Sequence, residues 1–148
     1  MPQTVANIIL MAPPRTKKNS GQFVSIGKGE KKRTIILPSK AYREWEKQVL
    51  GEAKKQAGSL AIDYPVNARV IFYRERATGD AVGYYQAIAD VLQKAGVLKD
   101  DRYIVSWDGS RLAKDAVKPR VEVELTEALR ADGSRYEYQA AMQLEEEF

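Results

Sequence analysis

Four aspartates lie at the ends of predicted elements in the second half of the chain: Asp80, Asp100, Asp101 and Asp108. Carboxylates placed at element ends can converge on a cleft, and oxygen donors of this kind suit Mg²⁺ or Mn²⁺. The same residues have ordinary structural explanations, because aspartate is a common N-cap and an aspartate pair after a helix is often a solvated turn. Spacing alone therefore leaves both a metal site and a structural role open.

The composition narrows the chemistry that these carboxylates could serve. The 148 residues include neither cysteine nor histidine. This excludes disulfides, thiolate nucleophiles, zinc sites built from thiols or imidazoles, the Ser-His-Asp triad and imidazole acid–base catalysis. If the protein is an enzyme, its chemistry must come from carboxylates, lysine, tyrosine, serine or a bound ion.

Charge is distributed unevenly along the chain. Residues 1–60 hold 12 Lys/Arg, 4 Glu and no Asp, whereas the remaining 88 residues hold 12 Lys/Arg and 16 Asp/Glu. A basic N-terminal portion facing an acidic cluster indicates a polyanion held near a metal site. Solvated lysines on a helix and a hairpin would give the same balance, so composition does not decide between the two.

A basic loop is predicted directly after the first strand. It contains Arg15, Lys17, Lys18 and Asn19, and a later polar loop contains Arg111. Cations with short hydrogen-bonding side chains make good contacts to phosphate, although this is also an ordinary loop composition. These five residues are the candidate contacts to phosphate groups.

The elements that must position these residues follow from periodicity and from turn signals. In chain order they are a strand at 4–11, a hairpin with strands at 22–26 and 33–37, a helix at 40–56, a strand at 65–74, a helix opened by Asp80 and closed by Gly96, and strands at 103–107 and 121–125. Residues 109–119 read as a polar, basic loop. This order predicts an α+β domain with two main helices packed on a mixed sheet.

Each helix shows apolar residues at three- and four-residue steps, so each is expected to bury one face. The predicted buried residues are Tyr42, Trp45, Val49 and Ala53 in the first helix and Val82, Ile88, Ala89, Leu92 and Ala95 in the second.

We expect a single domain over residues 1–148, with the tail at 130–148 left unassigned although residues 136–144 could be helical. The N-terminus lacks signal-peptide features, and its apolar run at 5–11 is too short to span a bilayer. A cytoplasmic location without a membrane partner is the expectation.

The stretch from Asp80 to Asp101 reads DAVGYYQAIADVLQKAGVLKDD. It resembles the core of the RusA family of Holliday junction resolvases, which reads roughly D-x-D-N-x-x-K, then D-x-L, then D-D. The segments PPRTKKNS at 13–20, PSKAY at 38–42 and PRVEV at 119–123 also fit. The resemblance spans about residues 8–125.

The motif departs from the family pattern at three positions. Asp80 and Asp101 match family aspartates, but Val82, Gly83 and Gln86 replace an aspartate, an asparagine and a lysine. Asp108, in a Ser-Trp-Asp-Gly segment that is similar to one in phage-type relatives, is a candidate for the missing carboxylate. Because Asp-Gly also favours tight turns, a purely structural role for Asp108 stays open.

The resemblance implies a homodimeric, Mg²⁺-dependent endodeoxyribonuclease, with Mn²⁺ as a substitute, that cuts branched DNA such as a four-way junction during recombination and repair. It implies a catalytic set of Asp80, Asp100, Asp101 and Asp108, with Asp80, Asp101 and Asp108 as metal ligands. Two alternatives remain: a catalytically impaired junction-binding protein of the same fold, favoured by Val82 and Gln86, and a phage protein-interaction domain.

Overall fold

The computed structural model describes residues 3–17, 22–37, 39–77 and 79–134. Two helices and seven strands are found in these ranges: β1 (Thr4–Leu10), β2 (Gln22–Ile26), β3 (Arg33–Leu37), α1 (Lys40–Ala57), β4 (Val66–Arg74), α2 (Ala81–Lys94), β5 (Ile104–Ser106), β6 (Arg111–Lys114) and β7 (Arg120–Glu127). The predicted α+β class is confirmed. The tail at 135–148, and with it the helix considered at 136–144, lies outside the described residues.

The main sheet is mixed. Its strands run in the order β1-β7-β4-β5, and β6 also pairs with β4. β7 is antiparallel to both β1 and β4, whereas β5 and β6 are parallel to β4. The hairpin of β2 and β3 forms a separate two-stranded sheet.

The segment predicted as one continuous loop at 109–119 instead contains β6. Leu112 is its one large apolar residue and is partly buried against the core, so the sequence shows no clear alternation. The strand exists because its backbone pairs with residues 71–74 of β4. Such pairing depends on a distant part of the chain and leaves little local signal.

One hydrophobic core lies between the main sheet and the helices. Alternating residues of β1, β4 and β7 are fully buried, among them Ile8, Val70, Phe72 and Leu125. In α1 the predicted apolar stripe is confirmed, since Tyr42, Trp45, Val49 and Ala53 are all buried.

The predicted buried face of α2 was wrong at Val82, whose side chain is 67% exposed, and at Ala89, which is only partly buried. Val82 precedes the buried Ile88 by six positions, which places the two about 120° apart around the helix, so Val82 lies off the buried face. The buried residues of α2 are Gly83, Tyr84, Ala87, Ile88, Val91 and Leu92.

Side chains of α1 cover the free edge of β1. The Gln56 amide accepts a hydrogen bond from the Ile9 N–H at 2.8 Å and donates one to the Ile9 carbonyl at 2.8 Å. The Met11 N–H donates to Glu52 Oε2 at 2.7 Å. The Ile9 N–H and carbonyl and the Met11 N–H are therefore satisfied without another strand.

Among the helices in the described ranges, none is both long and apolar enough to cross a membrane.

Candidate functional site

The first turn of α2 is fixed by Asp80, as predicted. Asp80 is its N-cap, and Asp80 Oδ1 accepts a hydrogen bond from the Gly83 N–H at 2.8 Å. A Cβ added at Gly83 would lie 2.6 Å from that oxygen and 3.0 Å from Thr16 Cγ2. Glycine at this position therefore lets the loop after β1 pack directly on the start of α2.

After the C-terminal end of α2 the chain turns, and the pair Asp100 and Asp101 lies beside the helix. Gly96 follows the helix with φ +79°, in agreement with its predicted position after the C-cap. Asp100 then caps a short 3₁₀ turn by accepting a hydrogen bond from the Arg102 N–H at 3.0 Å. The Asp101 N–H donates to Gln93 Oε1 at 3.0 Å, which ties Asp101 to the flank of α2.

Residues from three segments meet around an open cavity of about 300 Å³. It is lined by Lys17 from the loop after β1, by Gly83, Gln86, Ala87 and Asp90 from α2, and by Asp101. We call this the acidic cavity. Gln86 and Asp90 are one helical turn apart, so they present their polar groups on the same side of α2.

The acidic cavity carries an excess of negative charge around Asp101. Partial desolvation, a hydrogen bond with Asp100, and the charges of Asp100 and Asp90 together raise the pKa of the Asp101 carboxyl above its ordinary value. Because neighbouring carboxylates disfavour the ionised form, a cation bound among them would relieve this repulsion.

Asp90 is the most heavily paired carboxylate of the cavity. Lys94 Nζ lies 3.0 Å from Asp90 Oδ2 and 3.3 Å from Glu46 Oε2, and the hydrogen bond with Asp90 is the main reason that the pKa of Lys94 is raised. Lys17 Nζ lies 3.5 Å from the same oxygen of Asp90, and its side chain is 51% exposed. Lys17 is thus held at the cavity but remains open to solvent.

Tyr42 of α1 lies close to this group. Its ring is buried, and Lys17 Nζ lies 5.8 Å from the ring centroid. Burial, and then the charges of Glu46 and Asp90, raise the pKa of its hydroxyl far above the ordinary value, so Tyr42 stays neutral. Its hydroxyl oxygen has no hydrogen-bond partner within the part of the chain that the structure describes.

Three of the four predicted catalytic residues lie at or beside the acidic cavity, and the fourth lies in a turn. Asp101 lines the acidic cavity, Asp100 is bonded to it, and Asp80 adjoins the cavity through Gly83. Asp108 lies elsewhere, in the turn that precedes β6.

The backbone of that turn is held by Asn67 at the start of β4. The Asp108 N–H donates to Asn67 Oδ1 at 2.8 Å, and Asn67 Nδ2 donates to the Asp108 carbonyl at 3.1 Å. Gly109 has φ +85°, and the Ser110 N–H donates to the Trp107 carbonyl at 3.0 Å. This is the geometry of a tight Asp-Gly turn.

The residues predicted to contact phosphate also lie in different parts of the structure. Lys17 faces the acidic cavity, Arg15 lines a second cavity, and Arg111 begins β6 opposite Ile71 of β4. Lys18 and Asn19 lie outside the described residues.

The ligand set of Asp80, Asp101 and Asp108 stays a prediction. Within residues 3–17, 22–37, 39–77 and 79–134, no group of three acidic side chains is arranged to hold an ion. The chemistry of the donors nevertheless fits Mg²⁺ or Mn²⁺, because the cavity offers carboxylate oxygens from Asp90 and Asp101 and an amide oxygen from Gln86.

Sequence reasoning missed Asp90 as a site residue. Asp90 is the aspartate of the D-x-L segment of the motif, and it follows Gln86 by four residues. That spacing places two polar side chains on one face of an otherwise apolar helix, which is the signal that would have identified it.

An α+β domain that sets carboxylates against a lysine over an open cavity is suited to hydrolysing a phosphate ester. A family model described as endodeoxyribonuclease RusA matches residues 12–126, which is most of the chain and includes the whole acidic cavity. The chain belongs to the RusA endodeoxyribonuclease family, whose members are endonucleases of the Holliday junction resolvase type that act on branched DNA. No curated protein matches the chain.

Proposed function

We propose that this protein is a metal-dependent endodeoxyribonuclease that cuts branched DNA at the acidic cavity. The observation that carries the proposal is the meeting of Lys17 with Asp90 and Asp101 around one open cavity in a member of this nuclease family. A phosphodiester needs both features, since positive charge must balance the phosphate while carboxylates hold a metal ion.

Asp90 and Asp101 are the residues that would hold Mg²⁺ or Mn²⁺, and Gln86 lines the same cavity. When bound, such an ion lowers the pKa of a water and balances charge on the phosphate. Asp80 acts mainly as a positioning residue, because its carboxylate caps α2 and so fixes where Gln86 and Asp90 point.

Lys17 supplies the positive charge that the family pattern places at position 86. Its ammonium group reaches the cavity that Gln86 lines, although it comes from a different segment of the chain. Because Lys17 is about half exposed, it can leave Asp90 and contact a phosphate without a large desolvation cost.

We further propose that the protein acts as a homodimer in recombination and repair, in the cytoplasm, where its DNA substrate lies. Two copies related by a two-fold axis would present two acidic cavities to the paired strands of a four-way junction. The basic N-terminal portion would contact phosphates without reading base sequence.

A second candidate is a junction-binding protein with impaired catalysis. It is favoured by the exposed, apolar Val82 at the position of a motif aspartate, together with the lack of a ready three-carboxylate group in the described residues. This alternative shares the DNA surface and differs only in whether strands are cut.

The deciding experiment is incubation of the protein with a labelled four-way junction or a linear duplex in Mg²⁺, Mn²⁺ or EDTA. We expect paired cuts in the junction with either metal and none in EDTA. Asp101→Asn should abolish cutting while junction affinity stays equal or rises, because one negative charge near the phosphate is removed.

Glu124→Gln is the matched control, since it removes a carboxylate from the sheet face opposite the buried Val123 and Leu125. It should cut like the wild type. Junction binding without cutting in either metal would support the second candidate, and failure to bind branched DNA would reject both.

A further inference from the structure

A second cavity, of about 320 Å³, lies beside the acidic cavity on the other side of the loop after β1. Its lining contains the three arginines Arg15, Arg74 and Arg76, the single carboxylate Glu75, and the walls Pro13, Pro14 and Tyr84. We call it the arginine cavity. Three guanidinium groups against one carboxylate leave a net positive charge, in contrast to its neighbour.

The wall of the arginine cavity at Tyr84 is closely packed. Gly79 has φ +80°, and a Cβ added there would collide with the Tyr84 hydroxyl, so this backbone packs directly on the tyrosine. Tyr84 is buried and stacks on Phe72 with ring centroids 5.3 Å apart. Arg74 Nη1 donates to the Gly79 carbonyl at 3.4 Å.

Arg15 is the half-exposed cation of the cavity, and its pairing is weak. Arg15 Nη2 lies 3.4 Å from Glu75 Oε1, and the two side chains are 45% and 46% exposed. Exposed ion pairs of this kind contribute little to stability, so the arginine can readily take another partner. Guanidinium groups bind phosphate through two parallel N–H donors, so a phosphate oxygen is a stronger partner than this long contact to a carboxylate.

The two cavities are neighbours along the same loop. Arg15 faces the arginine cavity and Lys17 faces the acidic cavity, with Thr16 between them packed on Gly83. Only Thr16 separates the two residues that line the two cavities, so the cavities adjoin each other.

We propose that the arginine cavity binds a phosphate group, and that this phosphate is the one next to the phosphodiester at the acidic cavity on the same strand. The second part rests on the proposed function. Holding a neighbouring phosphate would fix the strand so that only one phosphodiester lies at the carboxylates.

The phosphate site is tested first without DNA, through the arginine side-chain Nε–Hε signals in NMR. Inorganic phosphate added to the full chain should shift the signals of Arg15, Arg74 and Arg76, whereas chloride at equal ionic strength should not. Arg76→Gln should weaken this response several-fold, and Glu75→Gln should strengthen it. Lys55→Gln, which removes an exposed cation from α1, is the matched control and should leave it unchanged. Equal responses to phosphate and chloride would overturn the site.

The DNA assignment is tested by junction binding at several salt concentrations, with Asp101→Asn present in every variant to prevent cutting. Arg76→Gln should lower the log–log salt slope by about one unit, as expected for one lost phosphate contact, and Lys55→Gln should not. An unchanged slope together with an intact phosphate response would overturn the DNA assignment alone. If the parent protein does not bind junctions, the proposed function fails, and the phosphate titration still decides the site.

Discussion

Lys17 and Asp90 are 73 positions apart in the sequence, yet Lys17 Nζ lies 3.5 Å from Asp90 Oδ2 at the acidic cavity. The contact brings a cation to the cavity that Gln86 also lines. We interpret Lys17 as the residue that supplies, from the facing loop, the charge that the family pattern places on the helix.

Moving the positive charge from position 17 to position 86 tests that interpretation. Lys17→Ala should slow cutting of a four-way junction by at least about tenfold, since one charge that stabilises the transition state is lost. Adding Gln86→Lys should restore most of the rate, because its ammonium group would reach the same cavity from α2. The measurement is the single-turnover cutting rate, with Lys55→Ala as the control.

If Gln86→Lys fails to rescue Lys17→Ala while the double variant still folds and binds junctions, Lys17 does not replace the motif lysine.

Asp108 is expected to serve the turn before β6. Asparagine tolerates the same turn conformation, so Asp108→Asn should leave cutting and thermal stability close to those of the wild type. Asn67→Ala should instead destabilise the fold by roughly 1–3 kcal/mol, because the Asp108 N–H and carbonyl lose their partners. Thermal unfolding and junction cutting are measured on both variants. A large loss of cutting in a folded Asp108→Asn variant, recovered by Mn²⁺, would return Asp108 to the metal site.

Two helical glycines should respond oppositely to alanine. Around Gly51 in α1 no atom lies within 4 Å of an added Cβ, so Gly51→Ala should stabilise the protein by about 0.5–1 kcal/mol. Gly83→Ala should instead destabilise the protein, because its Cβ would lie 2.6 Å from Asp80 Oδ1 and disturb the cap of α2. Chemical denaturation measures both effects. Equal stabilisation by the two substitutions would mean that Asp80 and Thr16 do not pack on Gly83 as described.

Tyr42→Phe should leave stability unchanged or raise it slightly. The hydroxyl is buried, and no hydrogen-bond partner for it lies in the described ranges, so its removal ends a desolvation cost. The ring contact with Trp45, with centroids 5.3 Å apart, is kept. Tyr42→Ala, which deletes the ring, is the contrasting variant and should cost about 3–5 kcal/mol. A marked loss of stability in Tyr42→Phe would show that the hydroxyl has a partner after all.

Local signals in the sequence were sufficient to predict where the helices begin and end. Asp80 was identified as the residue that opens a helix and Gly96 as the residue that closes it, and each takes that position. These signals work because a cap acts within three or four residues of chain. The same locality explains why the stripe of α1 was predicted correctly.

The candidate site depended more on contacts between distant segments. Asp101 was identified from its place after α2, but its tie to Gln93 and its proximity to Asp90 follow from the way the chain returns past the helix. The contact of Lys17 with α2 depends on Thr16 packing against Gly83, which no local pattern encodes. Strand β6 was missed for the same reason.

The hydrogen bonds from side chains of α1 to the edge of β1 limit how copies of this chain can associate. Gln56 already occupies both backbone groups of Ile9 and thus takes the place of a neighbouring strand. A second chain cannot extend the sheet at this edge without first displacing that side chain. Fibril-like stacking through β1 would have to displace the same side chain, so this part of the edge disfavours association between copies.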